Sequence, residues 1–372
     1  VSNETVSRPG AERPAGAPRI RAKARPADRI FLGLSTGSAA LIMVILAAVA
    51  LFLIIRAAPA IAANWKTTAE LHHGATEGYD SFWAYVLPLV WGTVWSSAIA
   101  LVIGAPIAIG IALFISHYAP RRIAGVLGYL IDLLAAVPSI IFGLWGIFVI
   151  RPFLLPFEDW LSQNLGWFPL FSGQASSTGS TILAGAVVLA VMILPIITSI
   201  SREIFLQTPR LHEEAALALG ATKWEMIRYA VFPYARSGVM SAILLGLGRA
   251  LGETMAYALI VSPSLIFSFK ILTDSQNPQS IAANLALNFP ESNELQRQAL
   301  IGTGLMLFVI TLAVNFLARG IITRTGPNSK RGRRTISRLG RPAETASVAT
   351  ADESPVAALR ARGSSDTDGS TT

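Results

Sequence analysis

Two ionisable residues four apart in an apolar stretch are the first place where this sequence could do chemistry. They are Arg249 and Glu253, in GLGRALGETMA (Gly246–Ala256). On a continuous helix, positions i and i+4 share a face. A charge at the centre of a membrane-spanning helix costs about 2.5–3.5 kcal/mol on insertion scales, so such residues pair or line a wet cavity. A guanidinium stays protonated and presents a planar fork of donors that fits an oxyanion. Two readings are open on this chemistry. The residues are either an electropositive element of an anion pathway, with Glu253 orienting or counterbalancing Arg249, or a structural ion pair that sets helix register.

Other chemistries are poorly supplied. There is no cysteine, which excludes disulfides, cysteine-ligated zinc and thiol catalysis. His72, His73, His117 and His212 are scattered and form no HExxH pattern. Gly33-Leu34-Ser35-Thr36-Gly37 matches GxSxG, but a nucleophile elbow needs a strand-to-helix turn and a partnered histidine. Here the match opens an apolar run, where Gly33 and Gly37 read as close-packing small residues. No GxxxxGK[ST] occurs, and Gly246, Gly248 and Gly252 miss the dinucleotide fingerprint by one position. The expectation is a chain with no catalytic site, metal or cofactor of its own.

Apolar elements must hold Arg249 and Glu253. Of the 372 residues, 52% are hydrophobic and only 14% charged, where soluble domains carry about a quarter charged. A net charge of +8 suggests nucleic acid, but the basic excess sits at the ends. Residues 1–29 hold seven Lys/Arg and three acids, residues 319–372 hold ten and five, and the stretch between is close to neutral. The expected partner is therefore the lipid bilayer and not a nucleic acid.

A hydrocarbon core of about 30 Å takes roughly 20 apolar residues to cross. Six stretches qualify: about 33–55, 85–115, 124–150, 181–200, 237–262 and 298–318. With the N-terminus inside, the inner segments hold 24 basic residues and the outer loops 5, leaving Arg249 within a span. Both termini are therefore expected in the cytoplasm. The first apolar run exceeds the 7–15 residues of a cleaved signal core and reads as a retained span, although APAIAA (Ala58–Ala63) offers small residues after it.

The expected layout is a disordered N-tail at 1–29, a first span and outer loop at 30–84, a transmembrane core at 85–322, and a basic disordered C-tail at 323–372. The basic run Lys330, Arg331, Arg333 and Arg334 suits anionic headgroups. Asn3-Glu4-Thr5 fits a glycosylation sequon, which a cytoplasmic tail would make a coincidence.

Within the spans, Asp132 reads as an interfacial carboxylate in preference to a pathway residue. Pro138-Ser139 predicts a kink, with the freed carbonyl satisfied by hydroxyls, neighbouring helices or water. Ser96, Ser97 and Asn315 read as interhelical hydrogen-bond formers.

The strongest local pattern is the loop PRLHEEAALALGATKWEMIRYAVFP, 209–233. Pro209 opens a helix, Glu213 and Glu214 lie in its early turns, and Gly220 closes it. A second short helix, about 223–229, is expected to end before Pro233. With three basic residues between the two prolines, this helix–turn–helix suits docking to a cytoplasmic partner better than reading DNA.

Glu214-Ala215-Ala216, three residues, Gly220, then Pro233 thirteen further on resemble the EAA loop of ATP-binding-cassette importer permeases. Ala230 and Phe232 replace the usual Ile and Leu. VPSIIFGLWG (Val137–Gly146), LALGATKWEMIRYAVFP (Leu217–Pro233), GLGRALGETMA and LIGTGLMLFVITLAVNFLAR (Leu300–Arg319) are similar to segments of the phosphate-specific, PstC-type permease family, over roughly residues 85–322.

The resemblance implies an all-α integral membrane protein with six transmembrane helices in the type I, MetI-like fold. It implies that Arg249 and Glu253 serve phosphate transport and that Glu214, Ala215, Ala216, Gly220 and Pro233 couple to an ATPase. The implied partners are a homologous second permease (PstA-like), two ATP-binding-cassette subunits (PstB-like) and an extracytoplasmic phosphate-binding protein (PstS-like). The implied location is a bacterial plasma (inner) membrane. Transport of another oxyanion, such as sulfate or molybdate, and ion-coupled secondary transport are the alternatives. The C-terminal extension has no counterpart in the family pattern.

Overall fold

The computed structural model describes residues 26–71, 74–262, 264–273 and 276–325. The expected tails, with the Lys330–Arg334 run and the sequon, lie outside these except for the few residues that extend the first and last helices. Among the described residues the architecture is all-helical, with one isolated bridge between Ser264 and Pro278. Six helices are long and apolar enough to cross a membrane: Ile30–Ala62, Phe82–Tyr118, Ser139–Leu165, Ile182–Leu206, Lys223–Leu251 and Glu294–Gly320.

Helix α1 (Pro26–Ala62) is largely exposed along its apolar length and docks only near its end, where Ala57 and Ala60 are buried. Helix α2 (Phe82–Leu113) starts on Ser81, whose hydroxyl accepts the Ala84 N–H at 3.2 Å. Helix α6 (Ile182–Leu206) starts likewise on Thr181, at 3.1 Å. The core forms around α6, which packs along α2 and α9 (Phe232–Leu251). Gly92 lets α2 lie directly on the 278–279 backbone: a Cβ there would be 2.9 Å from the carbonyl carbons of Pro278 and Gln279.

Two of the six expected spans are placed differently. The third was expected at about 124–150 with a kink at Pro138. Instead the chain breaks there: α3 (Arg121–Ala135) ends, Pro138 is extended (φ −57°, ψ 138°), and α4 (Ser139–Trp145) restarts. Proline lacks the N–H that would continue the ladder, and it disfavours helical backbone at the residue before it. Helix α4 runs through a π-turn, Gly146–Ile150, into α5 (Arg151–Leu165).

The fifth was expected at about 237–262, but it stops at Leu251. After Gly252 and Glu253, α10 (Met255–Ile260) begins anew. The two restarted helices meet: Gly143 of α4 and Gly146 of the π-turn leave room for Ala256, Leu259 and Ile260 of α10. Arg151, one of the five basic residues the sequence assigns to outer loops, lies within a span, and its guanidinium donates to the Leu259 carbonyl at 3.0 Å and to the Ile260 carbonyl. It thereby satisfies the terminal carbonyls of α10.

Helix α11 (Ile281–Asn288) begins on Ser280, and α12 (Glu294–Thr325) packs its early turns on the end of α1 and the start of α2 through Ala299 and Leu300. Asn284 accepts from the buried Tyr85 hydroxyl at 2.6 Å, joining α11 to α2.

Candidate functional site

Arg249 is in the last turn of α9, and Glu253 lies beyond the helix end. The shared helical face expected from their spacing is therefore lost at Gly252. No Arg249–Glu253 ion pair forms within 4.0 Å among the described residues. Glu253 is 8% exposed, and its Oε1 accepts the Ala256 N–H at 3.2 Å, so the carboxylate caps α10. The two charges are compensated separately. Arg249 sits at the carbonyl-rich end of α9, and Glu253 meets free backbone donors opening α10.

Without Glu253 as partner, Arg249 is half-buried, its Nε is buried with no hydrogen bond, and it lines a cleft of about 640 Å³. Helix α9 contributes Ser241 and Gly248 besides Arg249, α12 contributes Asn315 and Arg319, and Ile196 of α6 closes the back. The hollow thus has two guanidiniums, an amide and a hydroxyl on an apolar wall, a set that can donate to an oxyanion.

Arg319 and Ser241 were not singled out in the sequence. A signal existed, because Asn315 and Arg319 are an i, i+4 polar pair ending an apolar helix, as Ser241 and Arg249 are eight apart on α9. Asp132 is exposed on α3, Pro138 is exposed and Ser139 half-buried at the α3–α4 break, and none of the three lines this cleft.

The 209–233 loop folds from local signals. Helix α7 (Arg210–Ala218) follows Pro209 and buries none of its residues. Gly220 takes φ +85°, where its N–H donates to the Leu217 carbonyl at 2.9 Å and the Ala221 N–H to that of Ala216 at 3.2 Å. This paired 5→2 and 6→1 arrangement needs a left-handed residue, which explains glycine four positions after Ala216. Helix α8 (Lys223–Met226) begins with a capping box. The Thr222 hydroxyl accepts the Glu225 N–H at 3.3 Å, and the Glu225 carboxylate accepts the Thr222 N–H at 2.8 Å.

The second helix was expected to stop before Pro233. It does not: a π-turn, Ile227–Val231, carries α8 into α9, and Pro233 falls in the first turn of α9. A wider turn and a first-turn position both tolerate the missing N–H.

Glu214 and Ala215 are exposed and Ala216 half-buried. Leu219 is 90% exposed, and Leu211, Trp224, Tyr229 and Tyr234 are also open. An apolar hollow of about 650 Å³ runs beside α7 past Ala215, Ala216, Tyr229 and Pro233. Exposed apolar area of this kind marks an interaction surface. Glu213 approaches His117, beyond the end of α2, at 3.6 Å.

Residues 104–327 match the family described as "Binding-protein-dependent transport system inner membrane component". "Phosphate transport system permease protein PstC 2" of Mycobacterium bovis is 46% identical over 301 residues, 80% of this chain and 92% of that protein. "Phosphate transport system permease protein PstC" of Mycobacterium leprae is 46% identical over 275 residues, 73% of this chain and 86% of that protein. Among solved structures, the inward-facing MetNI methionine ABC transporter matches with a TM-score of 0.47 at 15% identity, over 65% of this chain and 96% of that one. This multi-pass, all-helical membrane protein belongs to the family of binding-protein-dependent transport inner-membrane components and, within it, to the PstC-type permeases.

Proposed function

We propose that the chain is the permease subunit of an ATP-driven importer that carries inorganic phosphate into the cytoplasm. The observation that carries the substrate is 46% identity, over most of both chains, to permeases named for phosphate transport. The Arg249 cleft is chemically consistent with it, as its donors can replace part of an oxyanion's hydration.

In this reading Arg249 belongs to the substrate pathway, and Glu253 supports it from α10 without pairing with it. The cleft opens toward a homologous second permease across the 85–322 core. Glu214, Ala215, Ala216, Gly220 and Pro233 shape a surface on which an ATP-binding-cassette subunit docks, one of two in the complex. ATP hydrolysis belongs to those subunits, and a phosphate-binding protein delivers substrate from outside. Both termini face the cytoplasm, as the distribution of basic residues favours. ATP drives the cycle by binding one conformational state more tightly than the other.

The test is radiolabelled phosphate uptake in cells lacking every other phosphate importer. Uptake should require this chain, resist excess sulfate, stop when ATP is depleted and survive an uncoupler while ATP is held. Unimpaired uptake without the chain, or sulfate competition at equal concentration, would overturn the assignment.

A further inference from the structure

A second basic hollow, of about 390 Å³, lies where the C-terminal ends of α2 and α6 meet the first turns of α3 and α7. Arg121 of α3, Arg202 of α6 and Arg210 of α7 all line it. None of the three has a carboxylate within 4.0 Å among the described residues. The single carboxylate in the lining, Glu213, is turned to His117 Nε2 at 3.6 Å, while His117 Nδ1 is 2.7 Å from the Ser116 hydroxyl. The Arg202 guanidinium is packed over Gly128, where no side chain would fit beside it. Thr208 also lines the hollow, is 4% exposed, and has its Oγ1 buried without a hydrogen bond.

Three guanidiniums around one cavity repel one another, and a buried hydroxyl without a partner costs about 1–3 kcal/mol. One occupant removes both penalties: a group with several acceptor oxygens and negative charge. Planar guanidinium forks suit phosphate oxygens, and the threonine hydroxyl supplies a further donor.

We propose that this hollow binds a phosphate-type oxyanion, either free inorganic phosphate or the phosphate of an anionic lipid headgroup. The occupant would join α3, α6 and α7, and so brace the first turn of the loop assigned above to ATPase docking. That consequence rests on the proposed coupling role, whereas the binding itself does not. The site is distinct from the Arg249 cleft, with which it shares no lining residue.

Site-resolved arginine modification tests it. The assembled importer is placed in phosphatidylcholine nanodiscs and labelled with phenylglyoxal, with peptides quantified by mass spectrometry and exposed Arg228 as control. With ligand at about ten times its Kd, labelling of Arg121, Arg202 and Arg210 should fall roughly tenfold and that of Arg228 should not. Protection by inorganic phosphate in these discs identifies a free anion. Protection only after phosphatidylglycerol is added to the bilayer identifies a headgroup.

Arg202→Gln, or Thr208→Val should that variant fail to assemble, should weaken the protection of Arg121 and Arg210. Arg249→Gln should leave it intact. Absence of protection by either probe overturns the site, as does protection unchanged in both Arg202→Gln and Thr208→Val. Protection lost in Arg249→Gln would assign the effect to the transmembrane cleft instead. Failed phosphate uptake with intact protection would refute only the transport assignment.

Discussion

Gly220→Val isolates what the turn of the 209–233 loop contributes to the proposed ATPase docking. Gly220 sits at φ +85°, and a Cβ built on it meets nothing within 4 Å. Any effect of a larger residue in the free chain is therefore backbone conformation and not a clash. An L-residue in left-handed geometry costs about 1–2 kcal/mol, and a β-branched one lies at the upper end of that range or above. The free loop escapes the cost by relaxing, losing the Gly220–Leu217 and Ala221–Ala216 hydrogen bonds. In the proposed role, docking needs the native turn and must restore it. At 1.4 kcal/mol per tenfold, the ATPase subunit should bind about five- to thirty-fold more weakly.

The assay is the affinity of purified ATPase subunit for permease in nanodiscs, with Gly220→Asn and Gly220→Ala alongside. Asparagine tolerates left-handed backbone, so the losses should rank Asn, Ala, Val in increasing order. A valine variant that binds like the parent would refute the reasoning. So would an asparagine variant as impaired as valine, since the loss would then not follow left-handed propensity.

Arg249→Gln should lower phosphate uptake by at least about tenfold, the size of one lost charge-assisted hydrogen bond of about 1.5–3 kcal/mol, with the complex still co-purifying; normal uptake would exclude Arg249 from the pathway. Gly92→Ala should destabilise the contact between α2 and the 278–279 segment by about 1–3 kcal/mol, because the added methyl meets the 278–279 backbone and not a movable side-chain tip. Lower thermal stability in detergent would show it, and an unchanged melting profile would count against that packing. Arg151→Met keeps much of the side chain's bulk but leaves the Leu259 and Ile260 carbonyls without their donor, at about 1–3 kcal/mol. Hydrogen exchange at the α10 amides should rise, whereas unaltered protection would show that the cap is dispensable.

The 209–233 loop was legible because its determinants are local. Pro209, Gly220 and the Thr222–Glu225 box each act within one turn, so their spacing carries the geometry. Six spans were legible for a similar reason, since hydropathy is additive along the chain. Breaks inside apolar runs were legible only in part: the disturbance at Pro138-Ser139 was read as a kink and is a full break, and the one at Gly252 went unread. Residues 124–150 and 237–262 look continuous by composition, but Pro138 and Gly252 divide them, and α4 and α10 restart because they pack on one another. The i, i+4 argument for Arg249 and Glu253 failed at that point, as it assumed a helix that ends between them. Pro233 misled in the opposite sense, because a π-turn absorbed a helix breaker. Arg319 was counted with the tail, although α12 continues to Thr325 and brings it beside Arg249.

The unbroken run from α8 through the π-turn to the end of α9 has a mechanical meaning. Lys223–Leu251 is 29 residues, a rod of about 43 Å at 1.5 Å per residue. Its foot carries Trp224 and Tyr229, and its tip carries Arg249. Pivoted at its midpoint, such a lever converts a tilt of about 6° into a sideways displacement of roughly 2 Å at each tip, in opposite directions. Two ångströms is enough to take a guanidinium out of hydrogen-bonding range of an anion. In the proposed function, a stroke delivered at the foot would carry Arg249 away from its anion without any rearrangement inside the rod, which ends at Leu251 before α10 begins.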